Sequence, residues 1–165
     1  MLAYKYIVRN LIVNGKFLMI DPEKEAYLTL DNQLCFVLYS TSNAMGRSYQ
    51  PLLKALDLTY LQYLVMMVLW EEQVINVKAL GKKLHLDSGT LTPLLKRLET
   101  KGYVNRTRSQ EDERIRLISV TEAGQQLKEQ AQHIPEKMMC LSKMEADGLI
   151  QLKTICERLL VNLTD

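Results

Sequence analysis

Three cysteines and one run of basic residues carry the chemistry this sequence can do. Cys35, Cys140 and Cys156 lie far apart, an odd count with no Cys-x-x-Cys pair. That pattern argues against a disulfide framework or a zinc cluster. It points to a reducing, cytoplasmic compartment in which any disulfide is regulatory. Asp31 reads as the N-cap of a first helix, which puts Cys35 near the helix start. There the partial positive charge of the dipole favours a thiolate. A cysteine between Leu34 and Phe36 is more often a small buried hydrophobe, so these residues alone leave Cys35 open. Cys156, at helical spacing with Leu149, Leu152 and Leu159, reads as a core residue. His85 and His133 are too few and too far from the cysteines to suggest a metal site. No metal or cofactor is expected.

The basic residues are concentrated. Between Asn76 and Arg116 stand ten Lys and Arg against five Asp and Glu, whereas the whole chain of 165 residues carries only +2. Such local polarity suits a phosphate-facing surface, although a solvated charged face has the same composition. With 47% hydrophobic and 24% charged residues the chain matches an ordinary globular protein. Its longest apolar run is broken well before the roughly 20 residues of a membrane span. Met1 to Ile20 mixes apolar residues with Lys5, Arg9, Asn14 and Lys16, which is unlike a secretory signal.

These groups need elements to hold them. A first helix is expected from Asn32 to about Met45, ended by Gly46, with a short helical piece around Pro51–Leu56. A helix over Thr59–Glu72 is apolar nearly all round and should be the buried central one. Two short helices follow, Asn76–Leu84 and Ser88–Lys101, with Val77, Leu80 and Leu84 on one face and Leu91, Leu95 and Leu98 on the other's. Pro93 implies either a later start for the second or a bend within it. Gly102 supplies the left-handed residue after it. The period then changes to two. Tyr103–Arg108 and Arg114–Val120 read as a two-stranded hairpin. Helices, broken near Pro135, complete the chain to Leu163.

A helix-turn-helix followed by a basic hairpin is the winged-helix arrangement, mainly α with a small β wing. The second helix of such a pair fits the major groove of double-stranded DNA. Ser88, Gly89, Thr90 and Thr92 place small side chains and open N–H groups at its N-terminus, suited to phosphates and base edges. Lys96 and Arg97 can reach phosphates or bases one to two turns on, and Arg108 and Arg114 can do so from the wing.

The stretch Leu86-Asp87-Ser88-Gly89-Thr90-Leu91-Thr92-Pro93-Leu94-Leu95-Lys96-Arg97-Leu98-Glu99, with Gly102-Tyr103-Val104 and Asp112-Glu113-Arg114, resembles the MarR family. Leu34-Cys35-Phe36-Val37-Leu38-Tyr39-Ser40 is similar to its branch of organic hydroperoxide resistance regulators. The resemblance runs from about Leu30 to the C-terminus. It implies a homodimer held by N- and C-terminal helices (about 31–56 and 121–163), with a reading head at about 59–120 on a pseudopalindromic operator. It implies an Asp112–Arg114 salt bridge shaping a wing that enters the minor groove. It further implies that Cys35 is a redox sensor whose thiolate receives hydrogen bonds from Tyr49 and Tyr60 of the partner subunit. The branch has one-cysteine and two-cysteine types, and Cys140 resembles the resolving cysteine of the latter.

The function expected is therefore a repressor that leaves its operator when an organic hydroperoxide oxidises Cys35 and an intersubunit disulfide forms with Cys140. Release by a small aromatic ligand, with Cys35 incidental, is the alternative within the same fold. A thiol peroxidase is disfavoured because that chemistry usually sits on a strand-rich scaffold. Residues 1–30 are an extension of uncertain role. Since Met19-Ile20-Asp21-Pro22 offers a second start, Met1–Leu18 is expected to be dispensable.

Overall fold

The computed structural model describes Ile12–Val13, Lys16–Phe17 and residues 28–164. The expectation about Met1–Leu18 therefore falls mostly outside the described residues. The chain divides into two units, Met1–Gly46 and Arg47–Asp165. The first contains two short paired strands, β1 (Ile12–Val13) and β2 (Lys16–Phe17), in the register Ile12↔Phe17. It also contains a 3-10 turn, Leu30–Asn32, and the start of helix α1, Leu34–Leu53, which continues into the second unit.

Two expected boundaries of α1 are corrected. Asp31 lies inside the 3-10 turn and does not cap α1, because the chain makes that tighter turn first and Gln33 hydrogen-bonds back to Leu30. Gly46 does not end the helix. Its φ is not positive, and a glycine inside a helix costs only about 1 kcal/mol relative to alanine. The helix runs on until Leu53, which is fully buried. A second 3-10 turn, Lys54–Leu56, then ends at Asp57, a left-handed residue with φ 51°.

In the second unit, α2 (Tyr60–Glu72) is the central helix. Thr59 and Gln62 close a capping box at its start, which satisfies the buried Gln62 side chain. Tyr63, Val65, Met66, Leu69 and Trp70 are buried along it, as their apolar run predicts. Helix α3 (Val77–Leu84) is capped by Asn76, and α4 (Ser88–Thr100) by Asp87. Strands β4 (Val104–Arg108) and β5 (Arg116–Val120) pair from Val104↔Val120 to Arg108↔Arg116. A third strand, β3 (Val74–Asn76), pairs with β5 on its other edge, so the hairpin is part of a three-stranded antiparallel sheet ordered β3-β5-β4. Helices α5 (Glu122–Ala131), α6 (Ile134–Ser142) and α7 (Ala146–Thr164) follow, with Pro135 in the first turn of α6.

One core joins these elements. Leu80 of α3, Leu91, Leu95 and Leu98 of α4, Val104 and Ile118 of the sheet and Leu127 of α5 pack around α2. Trp70 donates its indole N–H to the Gly124 carbonyl at 2.9 Å, tying α2 to α5. Helix α7 is different: it buries no residue, and Ile150, Leu152, Ile155, Leu160, Val161 and Leu163 are exposed. Among the described residues no single helix is long and apolar enough to cross a membrane.

Candidate DNA interface and thiol sites

Helix α4 begins where the sequence places it, at Ser88, and stays helical through Pro93. Of the two possibilities that Pro93 raised, the later start is excluded. Leu91, Leu95 and Leu98 face the core, which turns Ser88, Gly89, Thr92, Lys96 and Arg97 outward, all exposed. The start of the helix is more self-contained than the sequence suggests. Asp87 accepts the Thr90 N–H at 2.8 Å and the Thr90 hydroxyl at 3.2 Å, and these bonds hold its carboxyl below the usual carboxylate range. The Thr92 hydroxyl donates to the Ser88 carbonyl at 2.7 Å. Thr90 and Thr92 thus spend their hydroxyls on the helix itself.

The wing tip is built by short bonds. Ser109 donates its N–H to the Ile115 carbonyl and Ile115 donates to Asp112, both at 2.9 Å. Asp112 and Arg114 are joined, but through the Arg114 backbone N–H, which donates to the Asp112 carboxylate at 2.9 Å. The ion pair at the tip is between Arg108 and Glu113, at 3.7 Å. Arg108, Arg114 and Arg116 are all exposed.

Between the helix pair and the wing lies a groove of about 1000 Å³, lined by Lys78, Lys82 and His85, by Ser88, and by Arg114 and Arg116. Three of these cations, Lys78, Lys82 and Arg116, were counted in the basic segment yet not singled out as contacts. Charge alone does not say which side of an element a residue faces. A phosphate contact weakens binding to every sequence alike and contributes to the salt dependence. Arg108→Ala is accordingly expected to lower the slope of log K against log salt by about one unit per subunit. Filter binding across a salt series checks this, and an unchanged slope and affinity would place the wing away from DNA.

The thiols sit in three different settings. Cys35 is exposed in the first turn of α1, its Sγ 4.0 Å from Gln33 Oε1. Cys140 is exposed on α6 and lines an open cavity of about 510 Å³ with Leu52, His133, Glu136, Lys137 and Leu141. Cys156 is only half-buried on α7, so the expected core role is corrected: α7 buries no residue within its own chain. Tyr49 and Tyr60 stack with ring centroids 4.7 Å apart, and Tyr63 joins Tyr49 at 5.9 Å. Burial pushes all three phenols above their ordinary value, so they remain protonated donors near neutral pH. Among the described residues no group of three or more His, Cys, Asp or Glu is arranged to hold a metal ion.

Comparison with known proteins agrees with this arrangement. The family described as Transcriptional regulator SarA/Rot matches residues 47–131. The organic hydroperoxide resistance transcriptional regulator of Bacillus subtilis is 50% identical over 137 residues, covering 83% of this chain and 93% of that protein. Among solved structures, reduced AbfR bound to DNA superposes with a TM-score of 0.69 at 38% identity, covering 82% of this chain and 95% of that one. Disulfide-formed AbfR superposes with a TM-score of 0.55 at 38% identity, covering 79% and 92%; AbfR is a protein of Staphylococcus epidermidis. These relatives are transcriptional regulators and not enzymes, which sets the thiol peroxidase reading aside. The chain belongs to the MarR family of winged-helix, DNA-binding transcriptional regulators, in the branch of the organic hydroperoxide resistance regulators.

Proposed function

We propose that the protein is a cytoplasmic repressor that binds a pseudopalindromic operator as a reduced homodimer and leaves it on oxidation by an organic hydroperoxide. The reading head, about residues 59–120, offers Ser88, Gly89, Lys96 and Arg97 on α4 and Arg108 and Arg114 on the wing to DNA. The dimer is supported by the apolar faces left bare on α1 and α7, including Val37, Met45, Ile155 and Val161. Exposed apolar surface of that extent marks an interface, and a twofold dimer lets two heads read two half-sites.

The observation that carries the redox step is the exposed Cys35 in the first turn of α1, on a chain half identical to a hydroperoxide resistance regulator. The Cys35 thiolate attacks the terminal peroxide oxygen, giving a sulfenic acid and an alcohol. Phenols of Tyr49 and Tyr60 of the partner subunit hold the thiolate by hydrogen bonds. The Cys140 thiol of the partner subunit then displaces water from the sulfenic sulfur and forms the disulfide. The exposure of Cys140 beside an open cavity supports that step, as does the existence of a disulfide-formed state of AbfR.

The test begins with a duplex selected by the reduced protein from a randomised library. Cumene hydroperoxide added to that complex should weaken binding by about 10-fold to 100-fold, within the usual range of allosteric coupling. A dithiol reductant should restore it. Unchanged affinity after stoichiometric loss of thiol would overturn the proposal.

A further inference from the structure

We propose that Glu99 and Arg106 form a positioning pair that sets the angle between the recognition helix α4 and the wing, and thereby the DNA sequence the two read together. Arg106 was one of the ten cations that composition assigned to a phosphate-facing surface, but the structure turns it inward. Strand alternation puts Val104, Arg106 and Arg108 on one face of β4. Val104 is in the core, Arg108 is exposed, and Arg106 between them is half-buried opposite the fully buried Ile118. Its Nη1 donates to Glu99 Oε2 at 3.4 Å, and its Nε is buried without a hydrogen-bond partner.

The pair spans the short joint between helix and wing. The backbone of that joint is also held from the α5 side by Thr121, whose hydroxyl donates to the Gly102 carbonyl at 2.6 Å and whose N–H donates to the Tyr103 carbonyl at 3.1 Å. Helix α4 ends one residue after Glu99, and only Lys101, Gly102 and Tyr103 separate it from β4. Gly102 there has φ 75°, donating to Glu99 at 2.9 Å, while Tyr103 donates to Leu98 at 3.0 Å. These two bonds make Gly102 the left-handed cap that ends α4 and turns the chain into the wing. A guanidinium, whose rigid fork loses little freedom on pairing, adds a side-chain link between the last turn of the helix and the wing strand. On either side of the brace stand the exposed cations, Lys96 and Arg97 on the helix, Arg108 and Arg114 on the wing. A change in the angle moves one set against the other by a fraction of a groove width.

Electrostatics and positioning predict opposite signs for Glu99, which makes the test sharp. Removing an acid from a DNA-facing segment tightens binding if only charge matters. If Glu99 braces the wing, its loss weakens binding. The experiment uses the full-length reduced protein and the duplex it selects from a randomised library, with a scrambled duplex as the non-specific probe. Glu99→Gln and Arg106→Gln should each weaken the selected duplex by about 10-fold, of the order of one lost specific contact. Each should change the scrambled duplex less than about twofold. The double variant should be no weaker than either single one, and both should select altered base preferences from the library. In an Arg108→Ala background, where the wing contact is already lost, the effect of Arg106→Gln should shrink. Arg106→Lys, which keeps a cation near Glu99, should stay closer to the parent than Arg106→Gln and guards against a variant that merely misfolds. Tighter or unchanged binding by Glu99→Gln would overturn the proposal. So would a loss confined to Arg106→Gln that lowers the salt slope and weakens both duplexes alike, since that describes a direct phosphate contact.

Discussion

Cys35→Ser is expected to bind the selected duplex as tightly as the reduced parent and to show no response to cumene hydroperoxide. Serine is close to cysteine in size, and its more polar hydroxyl is tolerated at an exposed helix position, so fold and reading head are expected to be untouched. The nucleophile, however, is gone. The expected difference is the whole regulatory effect, about 10-fold to 100-fold in affinity between the treated parent and the treated variant. Cys140→Ser should differ in kind. Its Cys35 still reacts, but with no partner thiol the sulfenic acid persists or is driven by excess peroxide to the sulfinic acid, which thiols do not reverse. Cys156→Ser should titrate like the parent. Electrophoretic mobility shift with increasing peroxide separates the three, and peroxide release of the Cys35→Ser variant would remove Cys35 from the sensor role.

The second large effect falls on the joint between wing and scaffold. A Cβ built on Gly124 meets the Tyr103 carbonyl oxygen at 2.2 Å, its carbonyl carbon at 3.0 Å and the Val120 side chain at 3.0 Å. Two of those atoms are backbone, so no rotamer change relieves the contact. The Tyr103 carbonyl also accepts the Thr121 N–H at 3.1 Å, and Gly124 itself accepts the Trp70 indole. Gly124→Ala must push α5 away from the connection between α4 and β4, which also strains the Trp70 bond to the Gly124 carbonyl. We expect a loss of about 3 kcal/mol, at the upper end for overpacking a core. For a chain of this size that lowers Tm by about 6–12 °C. Gly102→Ala, where the backbone is left-handed but nothing lies within 4 Å of the added Cβ, should cost only about 1 kcal/mol. Calorimetry of the two reduced variants checks the order, and a Gly124→Ala protein melting within about 2 °C of the parent, a loss of no more than about 1 kcal/mol, would refute the packing described.

Much of this architecture was legible because its signals are local. Gly102 sits where a helix needs a left-handed residue, and the switch from helical to alternating spacing marks the hairpin. The caps themselves were not legible: Asp31, the one expected, lies in a 3-10 turn, while Thr59, Asn76, Asp87 and Thr121 do the capping. The buried faces of α3 and α4 follow from leucine spacing. What was hidden depends on partners distant in sequence. Strand β3 has three residues, too few to show alternation, and exists because β5 has a free edge for it. The run of α1 past Gly46 is decided by the burial of Leu53. Arg106 looks like any exposed cation until Val104 fixes the face it shares. Asp57 gave no signal at all, since its left-handed turn is braced by Lys101, whose Nζ lies 2.9 Å from the Asp57 carboxylate and also donates to its carbonyl. The residues alone left Cys35 open between sensor and buried hydrophobe; its sensor role and the tyrosines proposed to hold it came from the resemblance, and those partners belong to a second copy of the chain.

That second copy is where the central claim is tested most directly. The reduced protein is treated with one equivalent of cumene hydroperoxide, alkylated, digested without reduction and analysed by mass spectrometry. To show that the bond joins subunits, the dimer is assembled from isotopically heavy and light chains. The expected product is a peptide pair linked between Cys35 and Cys140 that includes mixed heavy–light pairs, accompanied by loss of DNA binding. A treated protein that releases DNA with Cys140 still alkylated, or with Cys35 joined to Cys156 instead, would contradict the two-cysteine switch.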